Sequence, residues 1–160
     1  MPDVTLTEIY RNWREFQKTV VAVVRPLTAE QLALAVAPHQ RTAAIITAHI
    51  IAARSYWLNH MLGMGGSEMA SLRTWDDEGQ PARSATEFVV GLETTWQLLE
   101  QSANSWSAAD LAEPLMRVRG GKEFRFTRMW VIWHLIEHDI YHGGELSLTL
   151  GMYGVTGLDL

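Results

Sequence analysis

Histidine is the residue type in this chain best suited to chemistry, and there are six of them. Three fall in one run, His134-Leu-Ile-Glu-His138-Asp-Ile-Tyr-His142. At about 100° per residue, positions i, i+4 and i+8 form one stripe along a helix. Trp130, Tyr141 and Leu148 lie to one side of it, Val131 overlaps it, and Leu135 and Leu146 lie just beyond. The stripe is therefore expected to point into an apolar face, and Glu145 shares it. Buried imidazoles without partners are costly, so these either hydrogen-bond within the core or hold a metal. Two imidazoles at i, i+4 can reach one ion. The outer two of the three, about 12 Å apart along the axis, cannot. One pair would ligate and a third ligand must come from elsewhere. His49, among Ile45, Ile46, Ala52 and Ala53, is the best outside candidate. His60 lies about three turns further on and cannot share its ion; a position near a helix C-terminus suits it. His39 sits in a Pro-broken loop and reads as exposed. Spacing alone does not choose between His134/His138 and His138/His142, and a buried polar network competes with the metal reading.

Composition limits the alternatives. The chain has 160 residues and no cysteine, which excludes disulfides, zinc fingers, iron–sulfur clusters and cysteine nucleophiles. Any metal must be held by His, Asp or Glu. Thirteen basic residues against 18 acidic ones leave a formal charge of −5, so a whole-molecule basic field for nucleic acid is absent. No stretch approaches the ~18 uninterrupted apolar residues of a membrane span. Residues 1–5 carry no basic start and no apolar signal core. The expectation is a cytoplasmic protein with no membrane or nucleic-acid partner.

The elements that must position the histidines follow from periodicity. Apolar residues from Leu6 to Arg25 recur at helical spacing, with Pro26 as a stop. Thr28-Ala29-Glu30-Gln31 is a capping box for a short turn. A second long helix is expected from Thr42 to Leu62, ended by Gly63. Residues 64–83 form a long Gly- and Asp-containing loop, with a turn of helix around Met69 to Arg73, and loops of this length often wall a pocket. A third helix starts at the capping box Ser84-Ala85-Thr86-Glu87, and Ser107-Ala108-Ala109-Asp110 repeats that signal for another short turn. The fourth runs from Thr127 to about Leu150. Four long helices without a βαβ pattern give an all-α four-helix bundle in a single domain, 1–160.

Between the third and fourth helices, residues 115–126 alternate around Gly120-Gly121, the mark of a β-hairpin. A three-residue loop, Gly120 to Lys122, would pair Val118 with Phe124 and Met116 with Phe126. It separates an apolar face from a basic one and is the expected register. Arg117, Arg119, Lys122, Arg125 and Arg128 cluster here. A solvated face is the simplest reading; the functional one is a patch that attracts a carboxylate-bearing substrate. Trp57, Trp75, Trp96 and Trp130 belong to the core or line a pocket. Serine-hydrolase and phosphate-loop motifs are missing: there is no G-x-S-x-G, and Gly63 to Gly66 lacks the Walker Lys-Ser/Thr.

The histidine run, continuing as His142-Gly143-Gly144-Glu145, together with a histidine in the middle of the second helix, resembles the DinB/YfiT-like family of metalloenzymes. Members of that family carry H-x-x-x-H-x-x-x-H-x-G, commonly ending H-R-G-Q; this chain differs at Gly143 and Glu145. The tail Gly157-Leu158-Asp159-Leu160 is similar as well. The resemblance implies a bundle with a three-histidine divalent-metal site made by His49, His138 and His142, leaving His134 outside. It also makes thiol-dependent transferase or isomerase chemistry on a small molecule the leading activity, with a low-molecular-weight thiol as co-substrate. A metal-dependent hydrolase is second, and a non-enzymatic metal-binding bundle third. Imidazole ligands suit zinc, nickel and copper. Glu145, three residues after His142 on the same stripe, can orient a ligand or act as a base near the open position. Opposite the stripe lie Ile136, Ile140, Gly143, Gly144 and Ser147, too apolar and too small for a solvated face. That face is expected to meet a second subunit in a homodimer.

Overall fold

The computed structural model describes residues 4–159. Its elements are α1 (Val4–Val24), α2 (Ala29–Leu32), α3 (Ala43–Ser55) running on as a π-helical segment (Tyr56–Met61), α4 (Gly66–Leu72), α5 (Ala85–Ser105), α6 (Ala108–Ala112), β1 (Pro114–Arg119), β2 (Lys122–Thr127) and α7 (Arg128–Gly151). The fold is a four-helix bundle of α1, α3, α5 and α7, with short helices in the connections and one antiparallel hairpin. α3 packs against both α5 and α7, and α1 packs against α5. Among the described residues no helix is long and apolar enough to cross a membrane.

The capping signals act as their chemistry dictates. Thr28, Ser84 and Ser107 each accept from the backbone of the third residue beyond, whose side chain returns the bond. Thr42 caps α3 and Thr127 caps α7 in the simpler way. The buried faces supply Trp13, Phe16 and Val20 from α1, Ile46, Ile50 and Ile51 from α3, Leu92 and Leu99 from α5, and Leu135, Leu146 and Leu150 from α7. Each such side chain contributes roughly 1.5–3 kcal/mol on burial.

A polar knot crosses this core. Arg54 of α3 and Asp139 of α7 are both 0% exposed and paired at 2.6 Å. Trp13 Nε1 of α1 donates to Asp139 Oδ2 at 2.8 Å. The carbonyl of Leu92 in α5 accepts from Arg54 Nη1 at 3.4 Å and from Gln17 Nε2 at 3.2 Å. All four long helices thus meet in one hydrogen-bonded network, and Asp139 is the residue directly after His138.

One expectation, the hairpin register, changes here. The hairpin pairs Val118 with Glu123, Met116 with Arg125 and Arg117 with Phe124, around a two-residue Gly120-Gly121 turn. The expected partners of Val118 and Met116, Phe124 and Phe126, face Arg117 and Leu115 instead. Both glycines have positive φ, 57° and 76°, as a tight turn matching strand twist requires. Turn geometry outweighs separation of the faces: Leu115, Arg117, Phe124 and Phe126 share one side, while Met116 and Val118 lie exposed on the other. Two residues of the α7 face opposite the stripe, Gly143 and Ser147, also make contacts within the chain. A Cβ on Gly143 would lie 2.5 Å from the Phe16 ring, and Ser147 Oγ accepts from the Leu158 amide at 3.0 Å. Ile140 stays exposed.

Candidate metal centre

His49 leaves the middle of α3, and His138 and His142 leave successive turns of α7, the helix packed against it. One nitrogen from each lies within 4.8 Å of the others. The Nε2 atoms of His49 and His138 are 3.2 Å apart. Ligands bound at about 2.1 Å in tetrahedral geometry stand about 3.4 Å apart, so this spacing suits a shared cation.

Carboxylates hold two of the three rings from behind. His49 Nδ1 donates to Asp76 Oδ2 at 2.6 Å, and His142 Nδ1 donates to Glu145 Oε2 at 2.7 Å. Each bond fixes the tautomer and leaves the Nε2 lone pair turned inward. Converging lone pairs repel unless a proton or a cation sits among them. The donor set therefore fits a divalent metal of the kind imidazole favours. Glu145 also lies 3.7 Å from Arg41.

Asp76 comes from the long connection after α4. Its neighbour Trp75 anchors that connection against α5: a Cβ at Gly91 would fall 2.8 Å from the Trp75 ring. Arg83 lies over that ring, 4.3 Å from its centroid. The loop does form a wall, since Arg73 and Asp76 line a cleft of about 340 Å³ with His49 and His138.

His134 stands apart from the three. Its ring stacks on Trp130 with an 8° interplanar angle, and its Nδ1 donates to Glu137 at 2.9 Å. It lines the cleft rather than joining the cluster. The stripe also sits at the edge of the buried face and not within it: His142 is buried, but Tyr141 and Leu148 beside it are largely exposed. That edge position opens the cluster to the cleft. His60 is exposed beside the Tyr56 ring and Arg73, and His39 is exposed.

Residues 1–159 match the model of the DinB family. The chain belongs to the DinB family. A crystal structure of a DinB-like protein from Bacillus cereus, 19% identical, covers 94% of each chain with a TM-score of 0.71. At that identity the likeness shows the fold. No curated protein matches the chain. DinB membership and the three-histidine cluster together are compatible with a metal-binding protein.

Three residues that bear on this DinB chain's site are not among the sequence candidates: Asp76, Arg54 and Asp139. Asp76 lies in a loop without periodicity. Arg54 and Asp139 did carry a signal, each a charge set among apolar helix neighbours.

Burial pushes the His138 imidazole down to about 3, helped by repulsion from His142 and His49. Burial also lowers His142, while its bond to Glu145 works against the shift. Both rings are held neutral, the form a metal needs. In the unfolded chain a histidine titrates near 6.5. The folded state binds fewer protons below that value, so this contribution is full above about pH 6.5 and is lost as pH falls toward about 3. Urea unfolding of the metal-free protein is expected to show a lower midpoint at pH 5 than at pH 7.5. His138→Gln should make that difference smaller.

Proposed function

We propose that this chain is a metal-dependent enzyme in which His49, His138 and His142 hold one divalent ion, zinc or nickel. In this reading it uses a low-molecular-weight thiol for a transfer or isomerisation on a small molecule. The observation that carries the proposal is the pair of carboxylate-backed imidazoles, His49–Asp76 and His142–Glu145, turned toward His138 beside an open cleft. An ion held by three neutral imidazoles keeps open positions and lowers the pKa of a thiol or water bound there.

The chain's own residues then have distinct tasks. Asp76 and Glu145 keep two rings in the ligating tautomer. Trp57 and Trp130 wall the adjoining space against water. Asp76 is the only carboxylate lining the cleft among the described residues, and it is committed to His49. That commitment leaves no free carboxylate base in the cleft among the described residues, so the nucleophile in this reading is one that the metal itself would ionise. Glu145 is likewise committed to His142, which makes it an orienting residue in this reading.

The test follows thiol consumption by metal-loaded protein with glutathione or cysteine and the electrophile 1-chloro-2,4-dinitrobenzene. Consumption should depend on the metal and vanish in His138→Ala. Metal-dependent hydrolysis of p-nitrophenyl acetate without any thiol would instead support the hydrolase, and no metal-dependent turnover in either assay would overturn the enzyme reading.

A further inference from the structure

Arg117 is unlike the other core-facing arginines. Arg54 holds Asp139 and Arg128 holds Glu113. Arg117 has no hydrogen bond or ion pair to any described residue, although it is half-buried. Its guanidinium lies over the rings of Tyr56 and Trp57, 5.1 Å and 5.8 Å from their centroids. Two features of the fold put it there. The Gly120-Gly121 turn sets the register that turns Arg117 to the same side as Leu115 and Phe126. The π-helical segment after α3 presents Tyr56 and Trp57 beneath it.

The position is equally specific. Arg117 and His134 line both the cleft beside His49 and His138 and a second cleft of about 460 Å³ that continues toward Phe126 and Trp130. Trp57 borders both and packs edge-on against Phe126 and Trp130. One end of this space thus holds the histidine cluster, its middle an uncommitted planar cation, and its far wall aromatic rings packed edge-on or tilted. A guanidinium clamped on aromatic faces keeps its N–H fork free for bidentate bonds to a carboxylate.

We infer that the substrate is an organic carboxylate with a flat apolar body: its carboxylate binds Arg117, its body lies along Trp57 and Trp130, and its reacting centre points to His49 and His138. This deepens the metal-enzyme reading and rests on it only for the direction of the reacting centre. Carboxylate recognition by Arg117 needs no metal.

The test uses 2-naphthoate as probe, titrated by calorimetry into metal-loaded and chelator-treated protein, with the uncharged 2-naphthamide beside it. The naphthoate should bind both forms, and the amide at least about tenfold more weakly, since a charge-assisted pair is lost. Arg117→Gln, with an unchanged thermal melt, should weaken naphthoate by a similar factor. Lys122→Gln removes the same charge from the hairpin without touching either cleft and should leave affinity within about twofold. Equal binding of acid and amide, equal weakening by Arg117→Gln and Lys122→Gln, or displacement of naphthoate by inorganic phosphate at equal concentration would overturn the assignment. Naphthoate binding through Arg117 in a protein that holds no metal would support this inference while removing the metal reading.

Discussion

Asp139→Ala should destabilise the protein by about 3–5 kcal/mol, the usual cost of stranding one partner of a buried ion pair. Arg54 is 0% exposed, and three of its hydrogen bonds go to Asp139. Truncation leaves a guanidinium in the bundle core with only the Leu92 carbonyl, and it also strips Trp13 Nε1 of its acceptor. Replacing both charges together, as Arg54→Met with Asp139→Leu, should cost far less, because no unpaired charge remains. Urea denaturation of the two variants reads the difference. A loss below about 1 kcal/mol in Asp139→Ala would mean that the knot does not hold the helices together. The knot also bears on the site: it fixes α7 against α3 next to His138, so the double variant should fold yet position the histidines less well.

The second large effect is on metal affinity. His49→Ala, His138→Ala and His142→Ala should each weaken divalent-ion binding by more than about 100-fold, beyond the 10–100-fold typical of losing a ligand's hydrogen-bond partner. Glu145→Gln and Asp76→Asn should fall within that 10–100-fold range. His134→Ala should change it little, since its ring is stacked on Trp130 and bonded to Glu137. Competition titrations with a chromogenic chelator measure all six variants. If His134→Ala removes the ion and His142→Ala keeps it, the site lies one turn nearer the start of α7.

Much of this architecture was legible because local chemistry and tertiary packing agree. The Ser/Thr caps, the apolar periodicity and the His stripe each depend on neighbours within a few residues, which a sequence displays directly. The three capping boxes and the starts of α5 and α7 are where those signals place them. What was hidden depends on distant partners. Asp76 reaches His49 from a loop whose next residue back, Trp75, packs against Gly91 of α5. The continuation of α3 as a π-helical segment leaves no mark in Tyr56–Met61 that distinguishes it from an ordinary helix end. The hairpin register departs from the one that sorting apolar from basic residues predicts, because the two-glycine turn dictates the pairing. The same register places Arg117, expected on a solvated face, inside the cleft.

The metal content of untagged protein, purified without a nickel column and measured by elemental analysis, tests the centre most directly. One equivalent of a divalent ion per chain, lost in His138→Ala but retained in His134→Ala, is the expected result. A wild-type chain that carries no divalent ion and takes up none from micromolar zinc or nickel at neutral pH would contradict it.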